Sequence, residues 1–263
     1  MRLFALTLLL PLLAACDEPP LRLSPTEEAE RDSVLTLLRT TDTDALAAAF
    51  DRLADLPYRV ETTTAQLAPD GEVVAHRRLV AAVDPAAPPP DVLEADSTGA
   101  FDWGALGALT SDGAGALLPT ENPATLVLPD DPPYLDPQGR EAFTFRFAPD
   151  TLIGGRRVRV LAVDARTGEG DDQLLRHARL YVADGGVLVG VRLQRRTESV
   201  LFTERSAATI LLHPTSAGVW LPHATRYDAT VGALFTDRRR FRLTRLYTPL
   251  APALSAEAPA ATP

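Results

Sequence analysis

The chain contains no lysine: all 26 of its basic residues are arginines, set against 35 acidic ones. The resulting formal charge of -9 and isoelectric point near 5.0 argue against a nucleic-acid partner, because phosphate binding calls for a net basic face. Cysteine is nearly absent as well. Cys16 is the single one, which rules out a disulfide within one molecule and any cysteine metal cluster. Beyond the N-terminal segment no apolar run approaches the 18 or so residues of a membrane helix. No serine sits in a Gly-x-Ser-x-Gly setting, and neither a phosphate-cradling glycine loop nor a paired His-Glu helix motif occurs. The chain is therefore not read as an enzyme, and neither a cofactor nor a metal is expected. His76, His177, His213 and His223 are far apart in sequence. A turn over 214–218 would set His213 opposite Val219, so His223 is not read as its cross-strand partner.

What is present begins at the N-terminus. Arg2 supplies a positive charge, Leu3 to Leu13 form an apolar run too short to span a bilayer, and Leu13, Ala14, Ala15 and Cys16 follow at once. This is the layout of a cleavable export signal. Leu13-Ala14-Ala15-Cys16 resembles the lipobox of bacterial lipoproteins, which implies a diacylglycerol on the Cys16 sulfur, cleavage before it and a palmitate-bearing mature N-terminus. Two or three acyl chains, at about 0.8 kcal/mol per buried methylene, hold a protein to a membrane where one chain would not. The expected location is the cell envelope, lipid-anchored at the outer membrane on either its periplasmic or its surface face, with the inner membrane as the alternative raised by Asp17.

Four regions are expected: a signal peptide over 1–15, a lipidated tether over 16–23, one domain over 24–247 and a disordered Ala/Pro-rich tail over 248–263. Ser24-Pro25-Thr26-Glu27 reads as a helix start, with Ser24 as cap, Pro25 in the first turn and Glu27 completing a capping box. Val34, Leu35 and Leu38 then share a helix face. Asp42 or Thr43 can cap a second helix carrying Leu46, Phe50, Leu53 and Leu56, stopped by Pro57. From Tyr58 the period becomes two. Strands are expected over 58–67, 72–83, 92–95, 142–147, 156–165, 173–184, 187–196, 199–203, 207–213, 219–231 and 234–247, and their short connections imply antiparallel neighbours. A short helix is read within 103–109. Asp184-Gly185-Gly186 carries the strongest hairpin signal. Asp130-Asp131 and Asp171-Asp172 read as solvated loop carboxylates.

Alternation defines the faces. Phe143, Phe145 and Phe147 share one, as do Val187, Val189, Val191 and Leu193, with Arg192 and Gln194 opposite. Phe235, Phe241, Leu243 and Tyr247 form a third set, and Arg240, Arg242 and Arg245 are read as pointing the other way. About ten strands at roughly 4.8 Å spacing make a sheet near 48 Å wide, whereas two helices of about 10 Å diameter cover less than half of it. A curved sheet with a partial lid would enclose a concave apolar chamber suited to acyl chains.

The two N-terminal helices, the antiparallel meander and Gly218-Val219-Trp220-Leu221-Pro222 before a final hairpin together resemble the outer-membrane lipoprotein-sorting proteins, the LolA/LolB-like half-barrels. The likeness runs over about residues 24–247. It implies an α+β fold: a large curved antiparallel sheet, an incomplete β-barrel, whose concave apolar face is covered by N-terminal helices. It also implies that the interior holds lipoprotein acyl chains or another lipid, delivered by a carrier protein in lipoprotein sorting or lipid transport. Candidate chamber residues are Phe50, Phe143, Phe145, Phe147, Val189, Val191, Trp220, Phe241 and Leu243. The alternative is an envelope scaffold or assembly lipoprotein with a filled core that binds a protein. Arg238-Arg239-Arg240 reads as a solvated hairpin, with lipid head groups as the functional alternative.

Overall fold

The computed structural model describes residues 24–102, 123–124, 132–166, 174–198, 202–233 and 237–250. The signal and lipobox, the helix read within 103–109, the two acidic pairs, Phe235 and most of the tail lie outside these residues.

The chain opens with α1 (Pro25–Thr40), whose start is dictated locally. The Glu27 amide donates to Ser24 Oγ at 3.3 Å, and the Ser24 amide donates to Glu27 Oε2 at 2.8 Å, which satisfies two otherwise orphaned helix-end donors. Val34, Leu35 and Leu38 are buried on one face. α2 (Asp44–Ala54) follows and buries Leu46, Ala49, Phe50 and Leu53. Thr43 occupies its cap position without a side-chain bond, and Asp42 does the capping instead, accepting from the Ala45 amide at 3.1 Å.

Among the described residues, ten strands then form one antiparallel sheet: β1 (Tyr58–Leu67), β2 (Val73–Val83), β3 (Asp91–Thr98), β4 (Phe143–Ile153), β5 (Arg156–Ala165), β6 (Leu175–Val182), β7 (Leu188–Glu198), β8 (Phe202–Pro214), β9 (Trp220–Ala233) and β10 (Arg239–Pro249). Their order is β3-β2-β1-β10-β9-β8-β7-β6-β5-β4. The first strand pairs with the last, Tyr58 opposite Pro249, while β3 and β4 form the two edges. The fold is thus α+β, an incomplete barrel left open between β3 and β4, with two helices on one face. α1 packs on β4, and α2 packs on β7 and β9.

Several strand limits differ from the sequence pattern for visible reasons. β4 does not stop at Phe147 but passes Pro149 through a bulge between Ala148 and Thr151, which an edge strand tolerates. The segments read as 199–203 and 207–213 are one strand, because Arg205 and Ser206 keep their ladder positions opposite Thr230 and Ala229. β10 begins five residues later than the expected start at 234 and ends at Pro249, after which the Leu250 amide donates to the Pro57 carbonyl at 2.9 Å. Gly185 and Gly186 hold φ of 78° and 77° in the β6–β7 hairpin, a region open to glycine at little cost.

Candidate functional site

Register divides the sheet into two chemically distinct faces. On the helix side, Ala178, Leu193, Ala208, Tyr227, Leu243 and Thr64 lie opposite one another in turn across β6, β7, β8, β9, β10 and β1. Phe143, Phe145, Leu161, Leu180, Val189, Val191 and Ile210 join Leu46, Phe50 and Leu53 of α2 in a single hydrophobic core. Phe50 meets the Tyr247 ring edge-on at 5.8 Å, and Tyr134 meets Phe143 in the same way at 6.3 Å. Burial pushes the Tyr134 hydroxyl up to about 12, a sign of how dry this core is.

The chamber candidates fall into three groups. Phe50, Phe143, Phe145, Val189 and Val191 are buried members of that core, packed with the chain's own helices. Phe241 and Leu243 are also buried, at the end of the face where Asp102 crosses: its amide donates to Gln66 Oε1 at 2.7 Å and its carboxylate pairs with Arg239 at 2.7 Å. Phe147 is 40% exposed at the β4 edge, and Trp220 is half-buried with the Arg156 guanidinium 5.8 Å from its ring. Toward β1 and β2 this face turns polar, presenting Thr62, Thr64 and Arg77, so less greasy surface needs shelter than the strand count implied. Arg245 corrects the pattern reading: it lies opposite Thr62 and Thr225, on the same side as Phe241 and Leu243. Pro222 is not on an edge strand. It sits in central β9 at the bulge between Leu211 and Leu212, which relieves the missing ladder donor.

The opposite face is rich in arginine and laced with ion pairs. Arg78 Nε reaches Glu61 at 2.8 Å and Arg78 Nη1 reaches Glu94 at 2.6 Å, linking β1, β2 and β3. Asp164 of β5 accepts from Arg179 and His177 at 2.8 Å each, and from Arg146 at 3.2 Å. Burial by itself would push the Asp164 carboxyl up, but these donors outweigh it and hold it below its ordinary range. Asp228 of β9, between Arg226 and Arg242, is depressed in the same manner.

Toward the end of the sheet where β1 and β7 finish and β6 and β10 begin, this face carries a trough of about 690 Å³. Arg176, Arg196, Arg205, Arg238 and Arg240 line it, while Arg195, opposite Ser206, borders it but sends its side chain to the helix side. Among the described residues, His177 and one carboxylate, Asp228, complete its ionisable lining. The pattern reading saw Arg240 and Arg242 as wet-face residues but could not assemble the trough, because Arg196, Arg205, Thr230 and Arg240 become neighbours only once four strands are in register.

His213 and His223 were not expected to meet, yet their rings stack at 3.7 Å and 9°. His213 lies opposite Leu221, so His223 is its diagonal neighbour two residues on. Burial first, and the neighbouring His223 second, lower the His213 pKa. Among the described residues no group of three or more His, Cys, Asp or Glu side chains is placed to hold a metal ion.

Fold and faces together define an open ten-stranded α+β sheet with a helix-packed apolar side and an arginine-lined side. No family model matches the chain. None of the curated proteins matches it. Similar solved structures include a domain named for outer membrane lipoprotein sorting from Vibrio parahaemolyticus, 10% identical, TM-score 0.27, covering 80% of this chain and 94% of that one. A DUF1329 family protein from Desulfovibrio piger is 8% identical with a TM-score of 0.24, over 78% and 90%. MucB, known also in a Pseudomonas aeruginosa complex with MucA, is 14% identical with a TM-score of 0.27, over 83% and 94%. At these values the likenesses carry no argument about what the chain does, and the architecture rests on its own strand pairing.

Proposed function

We propose that this chain is a cell-envelope protein, held to a membrane by lipid on Cys16, that acts by binding and catalyses nothing. The single observation that supports binding by its outer surface is packing. Phe50, Phe143, Phe145, Val189 and Val191 are already enclosed by α1, α2 and the sheet, so the filled-core reading, a scaffold or assembly lipoprotein with a protein partner, fits this geometry best. The export layout of residues 2–16 supports the location.

A second reading, binding of lipoprotein acyl chains in sorting or lipid transport, is favoured by the character of the cover. The surface beneath α1 and α2 is apolar, so displacing these two short helices would expose a hydrocarbon-lined bed along β4 to β7. Native mass spectrometry of the mature form carrying Cys16→Ala separates the two. The filled core gives the polypeptide mass alone and no uptake of fluorescent fatty acid, whereas a co-purifying acyl-bearing mass replaces it with the second reading. For the anchor, labelled palmitate should enter the wild type and not the Cys16→Ala precursor. Equal labelling of both removes it.

A further inference from the structure

The arginine trough lies at a particular end of the sheet. β6 starts there at Leu175, β7 ends there at Glu198, and the β6–β7 hairpin with Gly186 marks the opposite end. α1 runs between the two. Arg31 pairs with Glu141, just before β4 begins, at 2.6 Å, while at the helix's other terminus the Asp42 amide donates to the Gly186 carbonyl at 2.8 Å. Ser24, where α1 starts, therefore projects from the same end as the trough. Residues 17–24 extend at most roughly 29 Å, and β4 is about 19 Å from β8 at the centre of the trough, so a membrane that holds Cys16 lies within reach of it.

Among the described residues, the lining of the trough differs in charge from the protein as a whole. The chain carries a formal charge of -9, yet among the described residues five arginine side chains and one aspartate line the trough. Glu198 lies close to Arg196 and, at 3.8 Å, to Arg205, and Asp237 lies 3.8 Å from Arg239. Arg238 is exposed and Arg240 half-buried, and neither makes an ion pair among the described residues.

We propose that the trough docks onto the phosphate-bearing head groups of the membrane that carries the Cys16 lipid, so that the protein stands on its arginine end with the β6–β7 hairpin pointing away. This rests on the anchored reading given above. Guanidinium groups suit the task because their planar fork donates two hydrogen bonds to one phosphate. An anionic surface attracts each nearby arginine enough to matter, and several act together.

The test uses the mature chain from residue 16 with Cys16→Ala, which carries no acyl group, and vesicles of phosphatidylcholine alone or with about one third phosphatidylglycerol. Sedimentation should show binding to the anionic vesicles, none to the neutral ones, and release at high salt. The double variant Arg238→Ala/Arg240→Ala should bind about 25-fold more weakly, at roughly fivefold per arginine. Arg39→Ala/Arg52→Ala, an equal change of charge on the helix side, should stay within about twofold of the parent. Circular dichroism checks that each variant keeps its strands. Equal binding to both vesicle types, indifference to Arg238 and Arg240, or capture of polyglutamate or inorganic phosphate without any vesicle binding would each overturn the proposal. A failure of palmitate labelling would be a separate result, removing the anchor while leaving the vesicle measurement intact.

Discussion

Asp164 shows how single residues set the stability of this sheet. Its carboxylate gathers Arg179, His177 and Arg146 from both neighbouring strands, and Asp164→Ala should cost about 1 kcal/mol in urea denaturation. Acid should weaken the fold in two stages. The His213 pKa lies below its ordinary 6.5 in the folded chain, so its contribution is fully present above that value. As pH falls below 6.5 the unfolded chain takes up the proton first and the contribution is lost through the folded value. Asp164 and Asp228 titrate below the ordinary 3.8, so what they add persists above that pH and is lost as pH falls through their folded values. Urea midpoints measured from pH 8 to 3 should show both stages, and His213→Gln should remove the upper one. Gly154 is a steric requirement: its φ is +56°, and an added Cβ would lie 2.3 Å from Pro214 Cδ. Gly154→Ala should cost about 2 kcal/mol by the same assay.

The elements differ in how far they could be read in advance. α1 was legible from four residues because a capping box is a local device, and the β6–β7 turn was legible because Asp-Gly-Gly demands one shape. Pro149 and Ser206 misled, since each looks like a strand end and each is accommodated by its pairing with the strand that follows, β5 and β9 respectively. The histidine stack and the trough stayed hidden for the same reason: both depend on register, which the sequence of one strand does not carry. Edges need protection whatever their origin. β3 carries Asp91, Glu94 and Asp96, while the Phe147 amide of β4 is occupied by Glu30 Oε1 at 2.9 Å from α1. Glu30→Ala should free that donor and raise self-association in analytical ultracentrifugation. The cover itself is held by packing, and Leu46→Ala, at a fully buried position, should lower stability by about 3 kcal/mol.

At the scale of the whole molecule the decisive contact joins β1 to β10, with Tyr58 opposite Pro249. Without β10 the strand order falls into a three-stranded piece, β3-β2-β1, and a six-stranded piece, β9 to β4. A chain stopped before Arg239 should therefore lose its cooperative unfolding transition, as followed by circular dichroism. Long-range pairing of this kind also makes folding slow, because a very large loop must close before the contact repays it. The strand that splices the two pieces follows all nine of the others in chain order. A polypeptide that the proposed export signal directs across a membrane would thus reach the translocation channel as a thread with nothing yet to unwind. Completion of the sheet would fall on the far side, once β10 has passed through.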